Sequence, residues 1–258
     1  MRTFSSSILV LLLITSIGHA QSKRAVASAD DRVVIKPRTL TLIRRASLVK
    51  GFPEKRTAKI TYPLISGLRN TLVLRRVQSL LQVKNVFDTS TEEYRQDRWL
   101  AEFGYKVNYN RNYILDVTFT QSGSGAYPDT HTKHFAINLK DGSVVKAADV
   151  FVSDKSDDLA ALVDKKLQAE LKKIVQELTA SRSDPEDIGI AKEAQEPLKF
   201  TVENLDEFSI GAKGITFLYD AGYPHAIQAF EPAGEYFFSY AELKPFIKRD
   251  GLLGQFID

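Results

Sequence analysis

From Tyr109 to Phe151 the chain reads YNRNYILDVTFTQSGSGAYPDTHTKHFAINLKDGSVVKAADVF. Tyr113, Leu115, Val117 and Phe119 alternate with Ile114, Asp116, Thr118 and Thr120, the period of two that a strand with one buried face requires. The second set is mostly polar, which predicts a wet or lightly covered side of the sheet. A glycine–serine loop follows, then a strand from Lys133 to Leu139. Asp141-Gly142 predicts a hairpin turn of type I′, whose two central residues both take positive φ, with Ser143 to Val145 returning. Upstream, Glu102 to Asn108 is the expected antiparallel partner of Tyr113 to Gln121.

The remaining segments extend this pattern without βαβ alternation. Thr39 to Val49 and Thr57 to Tyr62 read as strands, the second stopped by Pro63 because proline cannot donate to a ladder. Leu68 to Lys84 has helical spacing through Leu72, Val73, Val77, Leu80 and Leu81. Thr89 or Ser90 opens a shorter helix, with Glu92 and Glu93 at the positive end of its dipole. Asp157 to Ala180 is the clearest helix: Leu159, Leu162, Val163, Leu167, Leu171, Ile174, Val175 and Leu178 draw one stripe. Ser181 to Pro197 reads as a loop holding at most one short helix. Phe200 to Val202, Phe208 to Ile210, Ile215 to Tyr219 and Tyr236 to Phe238 are strand candidates. Ser239 to Glu242 is a capping box opening a last short helix. The predicted class is α+β, a mostly antiparallel β-sheet packed with two to three α-helices.

Arg2, the apolar run Ile8 to Ile17 and the small residues ending at Ala20 have the pattern of a signal peptide over 1–20. The same pattern suits a retained anchor, and cleavage is not decided by it. Gln21, not cysteine, follows Ala20, so no lipoprotein-type anchor is expected. The expected organisation is a flexible leader over 21–38 and a domain over 39–258, divisible into lobes of about 39–130 and 131–258. No later run is long and apolar enough to span a membrane. The chain has no cysteine, which excludes disulfides, thiolate metal sites and cysteine nucleophiles. An exported chain of this size without cysteine fits a bacterial envelope, periplasmic or extracellular.

Charge is uneven along the chain. Gln21 to Arg111 carries 19 basic and 8 acidic residues, whereas Asn112 to Asp258 carries 15 basic and 24 acidic. The two parts either neutralise each other on folding or present a basic surface, for instance Arg44, Arg45, Arg75 and Arg76, to an anionic polymer. No basic–aromatic motif points to nucleic acid.

Catalytic signatures are lacking. Ser122-Gly123-Ser124-Gly125 is not a nucleophile elbow, and Gly211 to Gly214 is too short for a phosphate loop. Asp129, His131 and His134, with His225, invite a metal reading. Residues three apart on a strand point to opposite faces, however, so His131 and His134 meet one ion only if the chain curls. No catalytic residue, metal site or cofactor is assigned. Tyr127-Pro128-Asp129 and Tyr223-Pro224-His225 each set an aromatic ring beside a rigid proline, a combination suited to recognition because tyrosine offers contact area at little entropic cost. The candidate binding residues are therefore Tyr127, Pro128, Asp129, His131, His134, Tyr223 and His225.

Tyr62-Pro63, Ser66-Gly67-Leu68, Tyr113 to Phe119, Gly125 to Pro128 with His131 and His134-Phe135, Leu139 to Gly142 with Asp149 to Phe151, and Phe238 to Leu243 together resemble an RsiV-like extracytoplasmic domain of unknown function. This module occurs in the sensor region of the RsiV anti-sigma factor and beside the catalytic domain of PdaC-type peptidoglycan deacetylases. The resemblance runs from about Thr57 to Ile247. It implies an envelope binding module, non-enzymatic, for a cell-wall-active protein of the lysozyme kind or for peptidoglycan. The alternative is a metal-dependent hydrolase of cell-wall glycan. Neither an anti-sigma segment nor a deacetylase domain is present in the sequence, and the oligomeric state is not legible.

Overall fold

The structure is a computed structural model and describes residues 31–181 and 183–257. The expected signal peptide, 1–20, and residues 21–30 of the expected leader lie outside the described residues. Five strands form one mixed sheet in the order β1-β2-β3-β4-β5: β1 Val34–Ile43, β2 Thr57–Ser66, β3 Leu100–Arg111, β4 Ile114–Ser124 and β5 Pro128–Asn138. All pairs are antiparallel except β2 with β3, which run parallel through Lys59–Glu102 and Ile60–Phe103. Three shorter strands, β6 Phe208–Ile210, β7 Gly214–Leu218 and β8 Glu235–Ser239, form a second, antiparallel sheet. The α+β class follows directly.

Strand β1 starts at Val34, ahead of the expected Thr39. Strand β2 does not stop at Pro63 but runs through it to Ser66. Pro37 and Pro63 face each other in the β1–β2 register. Neither has an N–H, so this is a non-hydrogen-bonded position whose nitrogens point away from the partner strand. Beyond Ile60, β2 has no β3 partner, and Pro63 leaves no ladder bond unmade.

The type I′ turn lies elsewhere than predicted. Asn112 and Tyr113 join β3 to β4 with φ of 55° and 61°. At Asp141-Gly142 only Gly142 has positive φ, 79°, and the returning segment makes a single bridge, Ile137–Val144. Asp141 accepts from the Ser143 N–H at 2.8 Å, and that local bond supports a wider loop instead.

Helices α1 Thr71–Leu80, α2 Val83–Val86 and α3 Thr91–Gln96 cover one face of the large sheet. Asn70 caps α1 by accepting from the N–H groups of Leu72 and Val73, and Ser90 with Glu93 forms a capping box on α3. Val73, Val77, Leu81, Val86 and Tyr94 pack there with Leu115, Val117, Phe119, Phe135 and Ile137. Leu72 is 65% exposed, outside the stripe expected for it. After the single turn α4 Ala147–Val150, helix α5 Ser156–Ala180 lays Leu159, Val163, Leu167 and Leu171 on the second sheet, against Phe217 and Phe238. The region expected as loop contains α6 Pro185–Gln195, eleven residues long. Asp184 at its N-cap and Pro185 at N1 are its start signal. Phe200 to Val202 is not a strand; Thr201 and Asn204 cap a 3₁₀ turn instead. Helix α7 Tyr240–Leu243 keeps the expected capping box of Ser239 and Glu242.

The two sheets meet at Asp116. Its side of β4, expected to be wet, is covered at this point by β6, and Asp116 is fully buried. The carboxylate accepts four hydrogen bonds: from Asn108 Nδ2 (2.8 Å), Ser209 Oγ (2.9 Å), the Ile210 N–H (2.6 Å) and His134 Nε2 (3.0 Å). Asn108 sits at a break in the β3–β4 register, and this bulge turns its amide onto Asp116. Because Nε2 donates to the carboxylate, neutral His134 accepts at Nδ1 from Thr118 Oγ1, at 3.0 Å. His134 is therefore a buried support for Asp116 within the large sheet and not part of a recognition loop.

Candidate functional site: the cleft at the hairpin tip

The β4–β5 hairpin ends at Gly125, Ala126 and Tyr127, beyond the last paired residues Ser124 and Pro128. One wall of a cleft is built on this tip. The Ser124 N–H donates to the Trp99 carbonyl at 3.0 Å. A Cβ on Gly123 would lie 2.0 Å from that carbonyl oxygen, so only glycine lets the two backbones approach this closely. The contact carries the Trp99 indole to the His131 ring, 5.3 Å between centroids. His131 Nε2 in turn lies 3.2 Å from Asp129 Oδ2, as expected for residues two apart on one strand face.

The other wall is the loop from Asp220 to Gly234. It is pinched at its base: the Tyr219 N–H donates to the Gly234 carbonyl at 2.8 Å, and Gly234 takes φ 68° with its Cβ position 2.0 Å from the Tyr219 oxygen. Asp220 accepts from the Gly222 N–H at 2.8 Å. Pro224 precedes a 3₁₀ turn, His225–Phe230. The His225 ring stacks on Tyr127, 4.4 Å between centroids and 25° between planes. Tyr127 remains 62% exposed.

These walls enclose a cleft of about 570 Å³. Six of the seven expected binding residues line it: Tyr127, Pro128, Asp129, His131, Tyr223 and His225. The seventh, His134, is held by Asp116 on the opposite face of the sheet, with its side chain only 6% exposed. His131 and His134 thus do not share an ion, and among the described residues no group of three histidines, aspartates or glutamates is placed to hold a metal. Trp99, Asp220, Gln228 and Glu231 also line it and were not among the expected site residues. Asp220 and Glu231 were visible as the acidic ends of the second Tyr-Pro loop. Trp99 gave no signal, because its place depends on the approach to Gly123, 24 positions further along the chain.

Tyr223 has a buried hydroxyl with no hydrogen-bond partner among the described residues. Burial pushes its phenol up, and the nearby Tyr219 and Glu231 push it the same way. The cleft therefore offers exposed ring faces and carboxylate acceptors, whereas the Tyr223 hydroxyl is out of contact with solvent. Of the four arginines considered for an anionic partner, Arg44 is buried, 1% exposed, and donates to backbone carbonyls of the α3–β3 connection and the start of β2. Arg76 donates to the Asp141 carbonyl.

Fold and cleft define an α+β protein in which helices back each of two sheets and a loop of the second-sheet region closes over a hairpin of the first. The fold is similar to that of a DUF3298 family protein, a domain of unknown function, from Bacteroides fragilis: identity is 12%, the TM-score is 0.52, and the match covers 89% of this chain and 98% of that one. A DUF3298 family protein from Pseudomonas aeruginosa is 11% identical with a TM-score of 0.46, over 86% of this chain and 96% of the other. No family model and no curated protein matches the sequence.

Proposed function

We propose that this protein is an exported bacterial envelope module that binds peptidoglycan glycan in the hairpin-tip cleft and performs no catalysis of its own. The observation that carries this reading is the convergence of the two Tyr-Pro loops, with Tyr127 stacked on His225. A pyranose has an apolar C–H face and a rim of hydroxyls. Exposed ring faces suit the first, because the negative π-face attracts C–H groups. Carboxylates such as Asp129, Asp220 and Glu231 accept from the second. Export is supported by the Arg2 and Ile8 to Ile17 pattern, and among the described residues no helix is long and apolar enough to cross a membrane. The resemblance to the RsiV-like module points to the same compartment.

Sedimentation of the protein with purified cell wall tests the reading, with lysozyme pull-down run in parallel. Tyr127→Ala is expected to weaken wall binding about tenfold, the loss of ~1.4 kcal/mol of contact. Its melting temperature should not move, because the ring is 62% exposed. Undiminished wall binding by the variant would remove the cleft from the account. Binding to lysozyme alone would reassign it to a cell-wall-active protein.

A further inference from the structure

We propose that the groove between the β1–β2 ribbon and helices α1, α2 and α3 takes an extended, acidic polypeptide segment, which adds as a strand to the open edge of β2. The groove shares no residue with the hairpin-tip cleft, and the glycan reading stands or falls separately.

Strand β2 parts from β3 after Ile60 but continues to Ser66. Pro37 and Pro63 form a non-hydrogen-bonded pair, so Ile35 and Ile65, two positions along the same register, form another. The Pro63 carbonyl and both main-chain polar groups of Ile65 therefore point away from β1, toward the side that β3 has left. Gln78 of α1 reaches this edge and donates from Nε2 to the Ile65 carbonyl at 2.8 Å, where a neighbouring strand would otherwise donate. The Pro63 carbonyl and the Ile65 N–H have no such partner among the described residues.

A groove of about 500 Å³ lies along this edge. Tyr62, Pro63, Leu64 and Ile65 all line it. Successive strand residues point to opposite faces, so four in a row border one groove only where it follows the edge of the strand. Leu81 and Val83 supply an apolar wall from the helical side. Leu40 and Leu64 also line it and are 36% and 44% exposed. The rim is basic. Lys84 lines the groove, and no aspartate or glutamate does. Arg38 and Lys36 stand opposite Tyr62 and Leu64 in the β1–β2 register, on the same face of the ribbon. All three cations are exposed, and none is paired with a carboxylate among the described residues.

A peptide strand meets these features together. Its N–H groups donate to the Pro63 carbonyl and its carbonyls accept from the Ile65 N–H, as in other sheets extended by a guest strand. Apolar side chains at alternate positions face the leucine and valine wall, and acidic ones meet Lys36, Arg38 and Lys84. A second copy of this edge would instead set like charges against each other. An alkyl chain would cover the apolar wall and leave the main-chain groups unmet.

The test is fluorescence polarisation of the full chain with labelled, end-blocked hexapeptides of alternating Glu and Val or alternating Lys and Val, because Thr61 to Ser66 offers about 17 Å of strand. The Glu peptide is expected to bind about tenfold more tightly than the Lys peptide, and added salt should narrow the difference. N-methylation of its amides keeps every side chain but removes the donors, and should weaken it about tenfold. Leu64→Asp, at an exposed position, should abolish binding without moving the melting temperature. Arg38→Glu combined with Lys84→Glu should transfer the preference to the Lys peptide. Equal affinity of the methylated and unmethylated peptides overturns strand addition, and equal affinity of the Glu and Lys peptides overturns the acidic partner. Binding of sodium laurate but of neither peptide assigns the groove to an anionic amphiphile. Self-association that Leu64→Asp abolishes assigns it to a second copy. Either of these outcomes, or binding of no probe, overturns the proposal.

Discussion

Asp116→Ala is expected to destabilise the protein by about 3–5 kcal/mol, the range for breaking a buried, hydrogen-bonded polar network. The carboxylate is fully buried and satisfies four donors from three strands: Asn108 on β3, His134 on β5, and Ser209 Oγ with the Ile210 N–H on β6. Alanine leaves all four facing a void that their own geometry prevents from closing. Asparagine is no rescue, because its NH₂ would confront at least one of these donors. His134→Ala removes one donor and leaves the carboxylate with three partners, so it should cost less. In the Asp116→Ala background it should cost little more, since the two side chains act as one unit. Urea denaturation of the two single variants and the double variant measures this. A loss below about 1 kcal/mol for Asp116→Ala would mean that water reaches the joint between the sheets. Domains have only about 5–15 kcal/mol in total, so this one side chain decides much of whether the two sheets stay docked.

The second large effect is expected at Arg44. Its guanidinium donates to the carbonyls of Asp97 (2.5 Å), Lys55 (2.6 Å), Leu100 (2.6 Å) and, more distantly, Thr57 (3.4 Å). Burial pulls its pKa below the usual arginine value, with the charge of Asp97 opposing. A planar fork of five donors can satisfy carbonyls on separate segments at once; the compact lysine ammonium cannot reach them all. Arg44→Met should cost about 3 kcal/mol, the balance between carbonyls left unpaired and desolvation relieved. For a chain of this size that lowers the melting temperature by roughly 6–12 °C. A functional consequence follows from position. The carbonyls of Asp97 and Leu100 bracket Trp99, whose indole stands beside His131 in the cleft. Wall binding should therefore fall in Arg44→Met even at temperatures where the variant is folded. Calorimetric melting with a parallel wall-sedimentation assay separates the two effects.

The cleft was legible to the extent that its chemistry is local. A tyrosine beside a proline specifies ring and turn within a few residues, and Tyr127, Pro128, Asp129, His131, Tyr223 and His225 are where such loops would put them. His134 was misplaced for a nonlocal reason. It lies three residues from His131 and so on the other face of β5, and what covers that face belongs to residues 208–210, far along the chain. Trp99 shows the converse: its place depends on Gly123, where the absence of a side chain admits a backbone contact that no pattern around the tryptophan announces. Arg44 looks like any basic residue at the end of an apolar run, and its four carbonyl partners come from segments 11 to 56 positions away.

The order of neighbouring residues was enough to settle the α+β class, the long helix Ser156–Ala180, a helix start at Thr89 or Ser90, the capping box at Ser239, and the alternation of β4, because periodicity and capping act over a turn or a few strand positions. Which side of β4 would be dry, where Pro63 is tolerated, and that two loops a hundred residues apart would clasp through Tyr127 and His225 were decided by packing. Burial and hydrogen-bond satisfaction depend on what comes to lie against a residue from elsewhere in the chain, and that is a property of the folded whole.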